Sequence, residues 1–142
     1  MSQRPILLVE DNPDDRDLAL RALAKCRPGF PVVPLSSGAE VISYLQGSCL
    51  AGGSSPCPSF VLLDLKMPQV DGLEVLRRVR GEQGLPRIPI IVMTCSTERR
   101  DIAAAYALGA NSYLTKPVEY GRFVDLLDSV CRYWLDLNLP TP

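Results

Sequence analysis

Glu10 and Asp11 side by side, a third carboxylate at Asp64, a hydroxyl at Thr94 and an ammonium at Lys116 are the side chains whose types and spacing can do chemistry here. Carboxylates brought within a few ångströms of one another repel, so they raise each other's pKa or recruit a cation. The chain has no histidine, and oxygen ligands without imidazole or thiolate suit Mg²⁺. A lysine and a hydroxyl facing such a cluster are groups that hold a phosphoryl oxygen. A carboxylate can itself accept a phosphoryl group. Together these residues describe an aspartate that is phosphorylated with the help of Mg²⁺.

Each of them closes a predicted strand. Asp64 ends the apolar run Phe60-Val61-Leu62-Leu63 within FVLLDLKMPQVDGLEV, residues 60–75, a run that reads as a strand buried on both faces. An unpaired buried charge is costly, so a carboxylate at that place is paired, solvated or placed for chemistry. The first strand, residues 5–9, ends on Glu10-Asp11; the fourth, residues 88–94, ends on Thr94; the fifth, residues 112–115, ends at Lys116-Pro117. A second strand, residues 31–35, is flanked by prolines and reads as an edge.

Helices fill the intervals. Asn12-Pro13 is an N-cap followed by a proline at the first helical position, and Pro28-Gly29 stops that helix. Ser37 and Glu40 form a capping box ahead of Val41, Tyr44 and Leu45. Asp71 caps a third helix through Leu73, Leu76 and Val79, with no role in the site. A fourth helix spans residues 97–110. A fifth, residues 118–136, carries Phe123, Leu126, Val130, Trp134 and Leu137 on one stripe. Five strands alternating with five helices imply an α/β fold, a parallel (βα)5 sheet with helices on both faces. The strand ends then share one edge, where such sheets bind ligands.

Composition excludes much else. At 142 residues the chain fits one domain, 1–142, and a net charge of −1 gives no electrostatic case for nucleic acid or an anionic membrane. No apolar stretch approaches a membrane span, and the acidic start is not a signal peptide, so the expected location is cytoplasmic. The five cysteines form no CxxC and read as reduced thiols. Absence of histidine removes His-based triads and most zinc sites.

ILLVED, VLLDLKMPQVDGLEVL, IPIIVMTCS and GANSYLTKP resemble, in order and spacing, the receiver domain of two-component response regulators over about residues 4–130. The resemblance implies a flavodoxin-like fold with strand order 2-1-3-4-5. It implies that Asp64 accepts a phosphoryl group from a sensor histidine kinase. Asp11 would hold Mg²⁺ directly, Glu10 through water, and Lys66 through its backbone carbonyl. Thr94 and Tyr113 match the switch hydroxyl and switch aromatic, and Lys116 the phosphate-binding lysine, with a cis peptide to Pro117. The switching surface would be helix 4, strand 5 and helix 5. The protein would not be an enzyme beyond its own Mg²⁺-dependent phosphorylation and dephosphorylation.

Two departures stand out. Glu10 replaces a commoner aspartate, and Cys95 replaces a smaller residue. The chain ends soon after helix 5, so no output domain is expected. The loop over residues 47–58 and the tail YWLDLNLP look like the regulators that pair with bacterial phytochromes, which makes a bacteriophytochrome a candidate kinase and leaves the downstream partner open. Alternatives are a receiver-like module that binds without phosphorylation, and a phosphohydrolase working through an aspartyl-phosphate. Lys66, two residues after Asp64 where such enzymes carry a second aspartate, argues against the latter. The surplus apolar surface of helix 5 and its tail predicts a homodimer through Trp134, Leu135, Leu137 and Leu139, which a sheet-packed helix would leave exposed.

Overall fold

Strands β1 (Ile6–Val9), β2 (Val32–Leu35), β3 (Phe60–Leu63), β4 (Ile90–Thr94) and β5 (Ser112–Thr115) form one parallel sheet in the computed structural model, which describes residues 4–49, 57–65, 71–82 and 85–140. The strand order is β2-β1-β3-β4-β5, as expected. Helices α1 (Pro13–Cys26), α2 (Gly38–Cys49), α3 (Gly72–Gly81), α4 (Arg99–Ala107) and α5 (Tyr120–Cys131) connect and follow the strands.

The all-apolar strands pack through both faces. Leu7, Val9, Val61, Leu63, Ile90 and Val92 point into a cluster with Val41 and Leu45 of α2, Val75, Leu76 and Val79 of α3 and Ala105 of α4. Their alternates Ile6, Leu8, Phe60, Leu62, Ile91 and Met93 join Ala22 and Leu23 of α1 with Phe123, Leu127 and Val130 of α5. This period-two division is what buries a strand on two sides. The register of β1 on β3 pairs Ile6 with Phe60 and Val9 with Leu63, so both strands run out at the same edge. β2, the proline-bearing edge strand, is only partly buried.

Capping follows the sequence. The Asn12 side chain accepts from the amides of Asp14 and Asp15, and Asp71 accepts from that of Glu74 at 3.0 Å. The Ser37 hydroxyl accepts from the Glu40 amide at 3.2 Å, while the Glu40 carboxylate accepts from the Ser36 amide at 3.1 Å.

Three expectations are corrected. Cys49 and Cys57 are not free thiols: they form a disulfide, with α-carbons 4.8 Å apart. It joins the end of α2 to the approach to β3, and closing a loop of this length stabilises a fold by about 2–3 kcal/mol. Cys26, Cys95 and Cys131 remain thiols. The peptide before Pro117 is trans, since no described bond is cis; the trans isomer is the intrinsically favoured one, and Lys116 reaches the acids from it. The fifth helix also departs from a continuous stripe. α5 buries Phe123, Leu127, Val130 and Cys131, because it lies against α1 as well as the sheet. Beyond it the chain widens into a π-helical segment, Arg132–Leu137, with the Asn138 amide donating to the Tyr133 carbonyl. The wider turn shifts the register. Trp134 and Leu135 are half-buried against the α1–α5 cluster, so these two of the four residues expected on an exposed interface pack on their own domain. Leu137 and Leu139 stay outside, 63% and 90% exposed. An Arg27–Asp136 ion pair ties the segment to the end of α1.

Candidate functional site

Parallel pairing in register delivers the polar residues to one place. The Glu10 amide donates to the Leu35 carbonyl at 3.0 Å, the Asp64 amide to the Val9 carbonyl at 3.2 Å, and the Lys116 amide to the Thr94 carbonyl at 2.9 Å. Each residue is thus fixed as the next step beyond its strand. Ligand oxygens of Glu10, Asp11 and Asp64 all lie within 4.8 Å of one another, the metal-competent cluster found among the described residues. Three carboxylates with no nitrogen or sulfur donor make a hard oxygen set, so the site fits a divalent cation. Lys66, expected to add a carbonyl ligand, lies outside the described residues.

Lys116 spans the cluster. Its ammonium forms an ion pair with Glu10 and stands 3.7 Å from Asp64 Oδ2. Glu10 is only 3% exposed. Burial pushes its carboxyl up to about 7, against the pull of the Lys116 hydrogen bond and charge and with a further push from Asp64. Burial also works against the Lys116 ammonium, but its bond to Glu10 and the charges of Asp64 and Glu10 outweigh that and raise its pKa. The Asn12 amide also donates to Glu10, at 3.4 Å. The lysine is therefore held charged between Glu10 and Asp64.

Thr94 closes β4 and is 1% exposed. Its register partner on β5 is Thr115, and Val92 pairs with Tyr113. The half-buried Tyr113 turns towards the loop after β4, where its hydroxyl donates to the Ser96 carbonyl at 3.0 Å. That loop, Cys95 to Glu98, bridges Thr94 and α4.

A cavity of about 240 Å³ opens at the same edge. Leu8, Leu62, Met93 and Phe123 line it, with Asp64 and Lys116 among its polar walls. Leu18 of α1, 41% exposed, and Val118, fully exposed, also border it. Sequence reasoning did not find this apolar border: only packing shows that Leu18 is left uncovered. Nor did it find the Glu10–Lys116 pair, which joins residues far apart in the chain.

Comparison with known proteins agrees with this geometry. The response regulator receiver domain family matches residues 6–128. Response regulator Rcp1 of Synechocystis sp. is 34% identical over 136 residues, covering 95% of this chain and 92% of the relative; the structure of its Mn²⁺-bound form superposes with a TM-score of 0.84 at 31% identity, over 99% of this chain and all of that one. The phosphorylated cyanobacterial phytochrome response regulator RcpA superposes with a TM-score of 0.87 at 32% identity, over 99% of this chain and all of that one. The bacteriophytochrome response regulator AtBRR gives 0.74 at 42% identity, over 98% of this chain and all of that one.

Proposed function

Because this chain belongs to the response regulator receiver domain family, we propose that it is a signalling switch that takes a phosphoryl group onto Asp64 from a phospho-histidine of a sensor histidine kinase. The observation that carries this reading is the convergence of Glu10, Asp11 and Asp64 within 4.8 Å, with Lys116 at 3.7 Å from Asp64.

An Asp64 oxygen attacks phosphorus, the phosphorus–nitrogen bond of the donor breaks, and the imidazole leaves with the electron pair. Lys116 holds a phosphoryl oxygen by a charge-assisted hydrogen bond. Asp11 and Asp64, with Glu10 and the Lys66 carbonyl that the family resemblance adds, would hold Mg²⁺, which would supply positive charge to neutralise the phosphoryl oxygens. The aspartyl-phosphate adds about −1.5 to −2 charges at this edge. Thr94 answers by turning its hydroxyl to a phosphoryl oxygen, and the loop after it carries the change to Tyr113. Moving such an equilibrium from 1:99 to 99:1 takes about 5.5 kcal/mol of differential stabilisation, within reach of several charge-assisted hydrogen bonds.

The kinase docks beside the edge, against α1 and the loop after β5, where exposed Leu18 and Val118 border the cavity next to Asp64. A phytochrome-type kinase is the reading supported by the likeness to RcpA and AtBRR. The output surface is α4, β5 and α5 with the tail, where exposed Tyr106, Tyr133, Leu137 and Leu139 offer an isologous contact to a second copy. Among the described residues no helix is long and apolar enough to cross a membrane.

Incubation with Mg²⁺ and acetyl phosphate tests the reading. The parent should gain the mass of one phosphoryl group, and folded Asp64→Asn should gain none. Equal labelling of Asp64→Asn refutes the assignment, and continuous release of phosphate would mark a phosphohydrolase instead.

A further inference from the structure

We propose that Asp101 is a positioning residue of the switch, holding Ser96 so that its carbonyl receives Tyr113; this rests on the reading of Asp64 as phosphoacceptor. The first turn of α4 is built in an unusual way. Its N-cap residue, Glu98, makes no side-chain cap and pairs instead with Arg100. Ser96, two residues earlier, braces the approach to the helix: its hydroxyl accepts from the Glu98 amide at 3.3 Å. The same hydroxyl donates to Asp101 Oδ2 at 2.5 Å. Asp101 lies in the first turn of α4 and is half-buried, as is Ser96.

The main chain of Ser96 has a second duty, since its carbonyl accepts from the Tyr113 hydroxyl at 3.0 Å. One loop residue thus joins α4 through its side chain and β5 through its backbone. A short hydroxyl–carboxylate bond is charge-assisted and stronger than a neutral one. Fixing the Ser96 side chain restricts the orientation of its peptide, and that orientation decides whether Tyr113 has an acceptor. Tyr113 is only half-buried, so packing alone does not hold the ring. Ser96 stands two residues after Thr94, so any pull on Thr94 from a phosphoryl group acts on the loop that Asp101 anchors. Asp101 acts through Ser96 and Tyr113. Phosphorylation and the Asp101–Ser96 bond therefore favour the same arrangement, Tyr113 on the Ser96 carbonyl, and losing the bond leaves the phosphoryl group to enforce it alone.

The test titrates the 142-residue chain, in saturating Mg²⁺, with beryllofluoride as a stable mimic of the phosphoryl group. Variants are Asp101→Ala, Asp101→Asn, Ser96→Ala, Tyr113→Phe and the Asp101→Ala/Tyr113→Phe double. Removing one such bond should weaken beryllofluoride binding about three- to tenfold in Asp101→Ala, with a similar loss in Ser96→Ala should Asp101→Ala fail to fold. Asp101→Asn keeps an acceptor and should bind within about twofold of the parent. If the effect passes through Tyr113, the double variant should be no weaker than Tyr113→Phe alone. Parent-like binding by Asp101→Ala and Ser96→Ala, or additive losses in the double variant, would overturn the proposal. A parent that does not bind beryllofluoride, or an Asp64→Asn that binds it equally, overturns the phosphoacceptor reading and this inference with it.

Discussion

Replacing Gly72 by alanine should damage both stability and phosphorylation, because the first residue of α3 is pressed against the backbone that carries Asp64. The Gly72 amide donates to the Leu65 carbonyl at 2.8 Å. A β-carbon on Gly72 would lie 2.5 Å from the Asp64 carbonyl oxygen, 2.6 Å from Leu65 Cα and 3.0 Å from Leu65 Cδ2. Ordinary contact begins at 3.4 Å, so the closest approach is short by about 0.9 Å (3.4 − 2.5). Two of the three atoms are backbone and have no rotamer to change. Relief therefore requires the α3 turn and the Asp64–Leu65 segment to part. Overpacking of this kind costs about 1–3 kcal/mol, and a lost Gly72–Leu65 hydrogen bond about 0.5–1.5 more. Reduced freedom of the unfolded chain returns about 0.4–1 kcal/mol. The net expectation is about 0.5–4 kcal/mol of destabilisation, read as a lower midpoint in urea at unchanged slope. Asp64 moves with its carbonyl, and a shift near 1 Å at a reacting group can cost on the order of a hundredfold in rate. Labelling by acetyl phosphate should slow by about tenfold or more. Gly47→Ala is the control: its β-carbon would meet nothing within 4 Å, and helix propensity favours the alanine by about 0.5–1 kcal/mol. A Gly72→Ala protein with the parent's midpoint and labelling rate would refute the reasoning.

Two further outcomes are expected. Burial raises Glu10 from the usual carboxylate range to about 7, so the folded state holds a proton that the unfolded chain releases near 4.5. Its stabilising contribution is full below that pH and is lost as pH rises through about 7. With chelator present, the stability of the parent minus that of Glu10→Gln should fall across this window; a difference that rises with pH would contradict the assignment. In the tail, Leu137→Glu with Leu139→Glu should give a folded monomer by light scattering where the parent is a dimer. Trp134→Glu should instead lower stability by roughly 2 kcal/mol or more through lost packing. A monomeric parent, or a double variant that stays dimeric, would remove this surface from the interface.

The sequence by itself determined the (βα)5 architecture, its strand order through the family resemblance, and the candidate site. The reason is that apolar runs, caps and strand-terminal acids are local signals: Phe60–Leu63 reads as a buried strand, and parallel alternation places every strand end on one edge. Asn12, Ser37 and Asp71 were legible as caps because capping involves residues a few positions apart. Features that depend on distant segments were decided by the tertiary structure alone. The Glu10–Lys116 pair joins the ends of β1 and β5, and its raised Glu10 follows from burial that no local pattern encodes. Cys49 and Cys57 look like unrelated loop thiols until the end of α2 is seen beside the approach to β3. The apolar stripe of α5 and its surplus apolar surface were both visible, but which residues face the core depends on α1 lying alongside. A π-turn after Cys131 then rotates Trp134 and Leu135 inward and leaves Leu137 and Leu139 in solvent. Side-chain periodicity assumes a constant helical turn, so a change of one residue in backbone register is invisible to it, and only the packed chain decides which face is covered.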